Sequence, residues 1–186
     1  MQNKKLLLLM GMSCSGKDTL LKELLNNGYE TIISYCSGRP MREGEINGRE
    51  YNFITNDEFV KMIKNDEFIE STSYNALVNG ETTLFRYGRK KFSLSPDRKY
   101  AIIVNPKGVS AFLKHFGEDN CQVLFLDVDY QTRVNRCKNR GDFDEREYSR
   151  REKADQEDFS NLFKKVTPIK AKNTIDDQVK QCLNLI

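Results

Sequence analysis

The chain has 186 residues, of which 38% are hydrophobic and 31% are charged. That composition is too apolar for a disordered chain and too polar for a membrane protein, and the length suits one domain or one domain with an inserted lobe. Because 30 Lys and Arg residues stand against 27 Asp and Glu residues, the net charge is only +3. A chain this close to neutral is not a general polyanion binder, so we expect no nucleic-acid or membrane partner.

The first residues of the chain admit two interpretations. A basic start followed by the apolar run Leu6 to Met10, with Cys14 close behind, has the layout of a short lipoprotein signal. That run is shorter than the roughly 7–15 residues of a signal sequence, and no run approaches the ~18 residues of a membrane span. We therefore interpret it as a buried first strand. The five cysteines are widely spaced without a CxxC pair, which is typical of reduced thiols, so we expect a cytoplasmic protein.

Strand and helix patterns alternate along most of the chain. Continuous apolar runs are typical of strands covered on both faces, and their alternation with helices predicts a parallel sheet with right-handed crossovers. The predicted strands are 6–10, 31–35, 50–54, 67–74, 100–104 and 123–128. The predicted helices are 18–27, a helix beginning at 55 or 56, 107–116, 130–138, 144–165 and 176–185.

The segment from residue 37 to about 87 has a different composition. It is rich in charged and turn-forming residues with short alternating runs, and Asn79-Gly80 is a hairpin-turn signal. We interpret 36–95 as an inserted, mostly β lobe within a core formed by 1–35 and 96–186.

The most specific motif is GMSCSGKDT at residues 11–19. Two glycines with four residues between them, followed by Lys17, match the core of the P-loop, and a predicted strand and helix flank them as that motif requires. Glycines let backbone N–H groups converge on phosphate oxygens, and the helix N-terminus adds its positive dipole end. A glycine-rich turn without a ligand is the alternative, which the flanking elements disfavour. The predicted ATP-binding residues are Gly11, Met12, Ser13, Cys14, Ser15, Gly16, Lys17, Asp18 and Thr19.

Asp18 departs from the usual motif. A Ser or Thr normally follows the P-loop lysine and binds Mg²⁺ through its hydroxyl, whereas here Asp18 stands there with Thr19 behind it. Mg²⁺ favours carboxylate and phosphate oxygens, so Asp18 is a candidate Mg²⁺ ligand, directly or through water, and we expect Mg²⁺ as the cofactor. Cys14 is either a reactive thiol or a small residue that the loop tolerates.

A second motif, RPMREGEINGREYNF at 39–53, combines Arg39, Arg42 and Tyr51. Two guanidinium forks and a phenol suit a dianionic phosphate, although a charged surface loop has the same composition. Together with the P-loop, this stretch makes the chain resemble the guanylate kinase family, which transfers phosphate from ATP to GMP. The resemblance also rests on DEFVKMIKNDEFIE at 57–70, on Tyr87-Gly88, and on RCKNRG at 136–141 with Arg151 further on.

The resemblance implies an α/β P-loop kinase with a central parallel β-sheet flanked by helices, an inserted mostly β monophosphate-binding lobe and a helical lid at about 138–150. It implies Mg²⁺-dependent transfer of the ATP γ-phosphate to GMP or dGMP, in purine nucleotide metabolism, by a monomer or homodimer. The residues carried over by position are, for GMP, the phosphate clamp Arg39, Arg42, Tyr51 and Tyr87 together with Glu70 for guanine and Asn105. For catalysis they are Lys17 and the lid arginines Arg136, Arg140 and Arg151.

For individual charged residues in this set, a solvated surface position is the alternative interpretation. Glu70 suits guanine because one carboxylate accepts from both N–H donors of the base edge, but a solvated acid at a strand end is the alternative. The three lid arginines suit the transferring phosphoryl group, whereas a solvated helix face is expected for Arg133, Arg146 and Arg150.

Three further positions depart from the family's pattern. Tyr35 stands where the family commonly has a guanine-contacting Ser, Arg89 replaces a small hydroxyl residue that contacts the nucleotide, and Asn105 replaces an Asp. The GKD sequence and Asn105 resemble ribose 1,5-bisphosphate phosphokinase, although that enzyme typically lacks the stretch at 42–53. A non-catalytic guanylate-kinase-like binding module is the other alternative, and the retained Lys17 and clamp arginines argue against it.

Overall fold

The computed structural model describes residues 4–78, 80–139, 143–163, 169–170 and 174–185. The chain divides into two compact units. The first, which we call the core unit, comprises Met1–Thr31 and Leu94–Ile186, and the second, the inserted unit, comprises Ile32–Ser93. None of the helices in the described ranges combines the length and the apolar composition that crossing a membrane requires.

The core unit is built on a five-stranded parallel sheet. Its strands are β1 (Leu6–Gly11), β2 (Tyr29–Glu30), β7 (Lys99–Ile103), β8 (Cys121–Leu126) and β9 (Ile169–Lys170). The order across the sheet is β2-β7-β1-β8-β9. Strand β1, the apolar run predicted first, lies at the centre with all six residues buried, so both of its faces are covered. The prediction of a central parallel sheet is confirmed.

Five of the described helices belong to the core unit. They are α1 (Lys17–Asn26), α3 (Pro106–Phe116), α4 (Tyr130–Lys138), α5 (Glu145–Phe163) and α6 (Ile175–Leu183). The leucine stripe of α1, Leu20 and Leu24, packs on β1 together with Cys182 of α6 in one hydrophobic cluster. Gly28, with a positive φ of 84°, follows α1 in the left-handed conformation that a helix end requires.

The strand register brings two sequence motifs to one edge of the core sheet. Leu9 of β1 aligns with Ile103 of β7, so the P-loop after β1 and Asn105 after β7 follow the carboxyl ends of adjacent parallel strands. In open α/β sheets this edge is where ligands bind.

The inserted unit contains a four-stranded sheet and one helix. Its strands are β3 (Ser34–Ser37), β4 (Tyr51–Phe53), β5 (Phe68–Val78) and β6 (Glu81–Lys90), in the order β4-β3-β6-β5. The β3–β4 pair is parallel, whereas β6 is antiparallel to both of its neighbours. Helix α2 (Asn56–Lys64) begins with a capping box, in which Thr55 and Glu58 satisfy each other's backbone N–H groups, as the sequence predicted for a start at 55 or 56.

Three details of the strand prediction are wrong, the first being that β6 is absent from the predicted strands although a hairpin-turn signal precedes it. Of the predicted strand 31–35, only residues 34–35 belong to a strand, β3; residues 31–33 connect β2 to β3, and the boundary between the two units falls among them. Strand β9 was not predicted, since two residues are too few to show a periodic pattern. The hairpin between β5 and β6 is present, with Gly80 at a positive φ of 84°, while Asn79 lies outside the described residues.

Candidate active site

The predicted ATP loop joins β1 to α1 and folds around the Lys17 ammonium. Lys17 Nζ donates to the carbonyl oxygens of Gly11 at 2.7 Å and Met12 at 2.9 Å, and lies 3.4 Å from Ser15 Oγ. Gly16 begins the helix with a φ of 99°, a conformation in which side chains are strained. Burial lowers the pKa of Lys17, and the nearby Asp18 carboxylate acts in the opposite direction.

Asp155 on α5 also contacts the loop. The backbone N–H of Ser13 donates to Asp155 Oδ2 at 2.6 Å, so a carboxylate oxygen occupies one of the backbone donors of the predicted phosphate site. Its charge also acts to raise the pKa of Lys17. Sequence reasoning missed Asp155, because nothing in the pattern of a long charged helix distinguishes one acid from its neighbours.

Among the predicted lid arginines, Arg136 contacts the P-loop. Arg136 Nη1 donates to the Ser15 carbonyl at 2.9 Å. Arg151 donates through Nε to Glu147 at 2.7 Å, and Arg150, assigned to the solvated class, is bound to the same carboxylate at 2.7 and 2.8 Å. Arg140 lies outside the described residues, as do positions 141–142 of the predicted lid.

The expectation that Arg133 is a solvated surface residue is wrong. The residue is 3% exposed, and its guanidinium donates to both oxygens of Glu152 on α5 at 2.5 and 2.8 Å. Nε donates to the Val128 carbonyl at 3.0 Å. Arg133 therefore joins α4 to α5, and its charge is among the factors that lower the pKa of Lys17.

Asp18 and Thr19 are exposed in the first turn of α1, beside Lys17. The described residues contain no group of three or more His, Cys, Asp and Glu side chains that would hold a metal by themselves. Mg²⁺ is commonly bound through one or two carboxylates and the substrate phosphates, with water completing the octahedron. A single exposed carboxylate next to the P-loop lysine fits that mode of binding.

In the inserted unit, the sheet register places three of the predicted GMP residues, Tyr51, Tyr87 and Glu70, on one face, which we call the clamp face. Residues directly opposite each other on neighbouring strands share a face. Glu70 lies opposite Arg89, Ser34 lies opposite Tyr51, and Arg89 Nη2 donates to Ser34 Oγ at 2.7 Å, which completes one row across the sheet. The clamp face carries Tyr51, Ser34, Arg89 and Glu70 in that row and Phe53, Cys36, Tyr87 and Thr72 in the next.

A β-bulge decides which way Glu70 points. Phe68 pairs with Lys90, yet Glu70 pairs with Arg89, so β5 contains one extra residue between them. Simple alternation would put Phe68 and Glu70 on the same face, and the bulge separates them. Phe68 packs instead on Phe59 of α2, with ring centroids 4.8 Å apart, while Glu70 reaches the clamp face.

Arg39 lies over the aromatic part of the clamp face. Its guanidinium carbon is 5.1 Å from the ring centroids of both Tyr51 and Phe53, and Nη2 donates to both oxygens of Glu45 at 2.9 Å. Burial acts to raise the pKa of Glu45, but the Arg39 guanidinium and the Arg42 backbone N–H hold it below its ordinary value. Arg42 itself is exposed in the same loop. The sequence did not single out Glu45 as the partner of Arg39.

Tyr87 completes the aromatic cluster. Its ring is stacked on Tyr74 at 5.8 Å and lies edge-on to Tyr51 at 5.7 Å. Burial, with Tyr74 nearby, raises the pKa of Tyr87, so its hydroxyl keeps its proton. An uncharged phenol on this face can donate a hydrogen bond to an anion.

A sequence model of the guanylate kinase family, described as "Guanylate kinase", matches residues 3–186. The chain belongs to the guanylate kinase family. The guanylate kinase of Maricaulis maris is 44% identical over 66 residues, which cover 35% of this chain and 30% of that protein. The guanylate kinase of Campylobacter jejuni is 30% identical over 141 residues, which cover 63% of this chain and 67% of that protein.

The fold is also that of a solved guanylate kinase. The crystal structure of guanylate kinase from Anaplasma phagocytophilum superposes with a TM-score of 0.65 at 19% identity, covering 99% of this chain and 85% of that one. With Maricaulis maris and with Nostoc sp., the matched segments span only 30% and 36% of the relatives' own length.

The structure shows where one of the positions that depart from the guanylate kinase family pattern lies. The structure places Tyr35 on the side opposite the clamp face, edge-on to Phe68 with centroids 5.9 Å apart, and places Ser34 on the clamp face. Ser34 therefore presents a small hydroxyl on the clamp face, and the alignment of Tyr35 with the family's serine stays a prediction.

Asn105, predicted to contact GMP, has a structural role in the core unit. Its Oδ1 accepts from the Gly108 N–H at 2.7 Å, which caps α3, and Pro106 follows at the first helical position. The other predicted GMP residues belong to the inserted unit. The contact of Asn105 with a nucleotide stays a prediction.

Proposed function

We infer that this chain is an ATP-dependent nucleoside monophosphate kinase that transfers the γ-phosphoryl group of Mg-ATP to GMP or dGMP, giving GDP or dGDP and ADP. The observation that carries the proposal is the clamp face, where the register and bulge bring Tyr51, Tyr87 and Glu70 together beneath Arg39. The clamp suits the phosphate of a guanine nucleotide, and the neighbouring carboxylate suits its base. The relatives named above are guanylate kinases. This likeness does not favour the two alternatives, a sugar-phosphate kinase and a non-catalytic module.

The donor side of the reaction falls to the core unit. Lys17 and the loop N–H groups hold the ATP phosphates, and Arg136, already against the Ser15 carbonyl, adds positive charge where negative charge develops on the transferring group. Asp18 and Thr19 would hold Mg²⁺, which supplies charge neutralisation at the phosphate oxygens. The acceptor phosphate oxygen is already anionic, so no general base is needed, and positioning dominates.

On the acceptor side, Arg39, Arg42, Tyr51 and Tyr87 bind the GMP phosphate, and Glu70 accepts from the N1–H and N2–H groups of guanine. A phosphate dianion carries more charge than the Glu45 carboxylate that now accepts from Arg39. GMP phosphate can therefore share or take over that guanidinium. Arg140 and Arg151 would cover the transferring group and exclude water, which limits hydrolysis of ATP.

The test is a coupled assay of ADP release with GMP, dGMP, AMP and ribose 1,5-bisphosphate as acceptors. We expect turnover with GMP or dGMP. Turnover only with the sugar phosphate, or with no acceptor, would overturn the proposal. Lys17→Ala should remove most turnover, whereas Lys22→Ala, an exposed lysine on the same helix, should leave it intact.

A further inference from the structure

Arg89 is a buried charge for which the proposed reaction has no role so far. It is 5% exposed, its Nε donates to the Ile32 carbonyl at 3.0 Å, and its Nη2 donates to Ser34 Oγ at 2.7 Å. Burial lowers the pKa of Arg89, while the charge of Glu70 acts to raise it. Removing a guanidinium from water is costly unless other charges and acceptors compensate for it. An uncharged side chain could link these strands without the free-energy cost of burying a charge.

The strand pairing fixes what this charge faces. Arg89 stands directly opposite Glu70 on β5 and beside Ser34 on β3, with all three side chains on the clamp face. Burial raises the pKa of Glu70, and Arg89 acts to lower it. A fixed cation thus adjoins the carboxylate that the proposed function assigns to the base.

We propose that Arg89 determines the base preference of this chain, so that Glu70 and Arg89 together select a purine with a carbonyl at position 6 beside a ring N–H. The proposal rests on the proposed function and adds a residue that replaces a small hydroxyl in the family pattern.

The reason is that Glu70 presents a hydrogen-bond acceptor and Arg89 presents donors, side by side. Guanine offers N–H donors at N1 and N2 and a carbonyl oxygen at C6, whereas adenine offers an amino group at C6 and an acceptor at N1. A carboxylate next to a guanidinium matches donors next to an acceptor, and arginine with the guanine O6 edge is a common specific pairing. Adenine reverses both signs, so the same pair of side chains repels it.

The experiment measures the affinities of GMP, IMP and AMP by titration calorimetry for the wild-type protein and for Arg89→Met. Losing a charge-assisted contact should weaken GMP binding by about 10- to 100-fold, while AMP binding changes less, so the GMP/AMP ratio falls by about tenfold or more. IMP keeps the C6 carbonyl and should lose affinity in parallel with GMP. Arg89→Lys keeps the charge and should restore part of the ratio.

The matched control is Arg86→Met on the same strand. Arg86 pairs with Ser37 and donates to Asn56 Oδ1 at 2.8 Å, on the side away from the clamp face, so the same substitution there should leave the ratio unchanged. If Arg89→Met weakens GMP and AMP equally, Arg89 only holds the strands and the inference is wrong. If Arg86→Met shifts the ratio as much as Arg89→Met, the inference is also wrong.

Two further arms cover a variant that does not fold, as checked by thermal unfolding. Arg89→Gln keeps an N–H donor for the Ile32 carbonyl without the charge, and should show the same loss of ratio. In the wild-type protein, 6-thioguanosine monophosphate, which weakens only the acceptor at position 6, should bind less tightly than GMP; equal binding would overturn the inference. Failure of the wild-type protein to bind any monophosphate would instead overturn the proposed function.

Discussion

Breaking the ion pair between Arg133 and Glu152 should destabilise the core unit strongly. The two side chains are only 4% and 11% exposed and meet at 2.5 Å, with a second hydrogen bond at 2.8 Å. Glu152→Leu leaves the Arg133 charge buried without its carboxylate, and breaking such a pair typically costs about 3–5 kcal/mol. A domain is stable by about 5–15 kcal/mol in total. We therefore expect a large loss, of roughly 6–20 °C in Tm at about 2–4 °C per kcal/mol.

The assay is urea and thermal unfolding followed by far-UV circular dichroism, because the chain has no tryptophan to report by fluorescence. The control is Glu30→Leu, which breaks the Arg98–Glu30 pair; those side chains are 58% and 42% exposed, and loss of an exposed pair costs at most about 1 kcal/mol. The reasoning is refuted if Glu152→Leu costs no more than Glu30→Leu. Adding Arg133→Met to Glu152→Leu should recover most of the loss, since it removes the unpaired charge.

The pH dependence gives an independent check on the same pair. The hydrogen bonds from Arg133 hold the pKa of Glu152 below its ordinary value. A carboxyl with a depressed pKa in the folded state contributes stability above its unfolded pKa of about 4.3, and that contribution is lost as the pH falls through the folded value. The difference between wild type and Glu152→Leu should therefore be constant near neutral pH and shrink in acid. A difference that grows as the pH falls would contradict this origin.

Three other predictions concern the proposed GMP and ATP sites. Gly38→Ala should cost about 1–2 kcal/mol or more in urea unfolding and weaken GMP binding, because Gly38 has a φ of 78° and a Cβ there would overlap the Leu84 carbonyl oxygen; an unchanged midpoint would count against it. GMP affinity should fall with acidification at a pH above the ordinary glutamate value of about 4.3, since burial raises the pKa of Glu70; Glu70→Gln should lose this contribution and keep only the one from the GMP phosphate, which titrates at about 6. Asp155→Ala should tighten ATP binding by roughly fivefold, about 1 kcal/mol, because Asp155 now accepts from the Ser13 N–H; weaker binding would assign Asp155 a supporting role.

The parts of the molecule that the sequence predicted well are those in which the relevant residues are neighbours along the chain. The P-loop is one contiguous stretch between a buried strand and a helix, and the structure has both elements where the pattern predicts them. The cap of α2 needs only Thr55 and Glu58, three residues apart. Local patterns of this kind carry their own geometry.

The arrangements that the sequence did not predict depend on pairing between distant strands and helices. Alternation along β5 puts Glu70 on the same side as Phe68, and only the bulge opposite Arg89 and Lys90 reverses it. Composition likewise suggested a solvated Arg133, because the partner that buries it is 19 residues away on another helix. A single sequence shows which residues are charged, but the fold decides which charges meet.

The same pairing of opposite charges surrounds the predicted anion sites of this chain, whose net charge is only +3. Four buried or half-buried cations in the described residues have a carboxylate of the chain close by. These neighbours are Lys17 with Asp155, Arg39 with Glu45, Arg89 with Glu70, and Arg133 with Glu152. The fields of such paired charges are largely cancelled at a distance. A small phosphate that enters the site meets them at close range and must compete with a carboxylate, so affinity depends on geometry as well as on total charge.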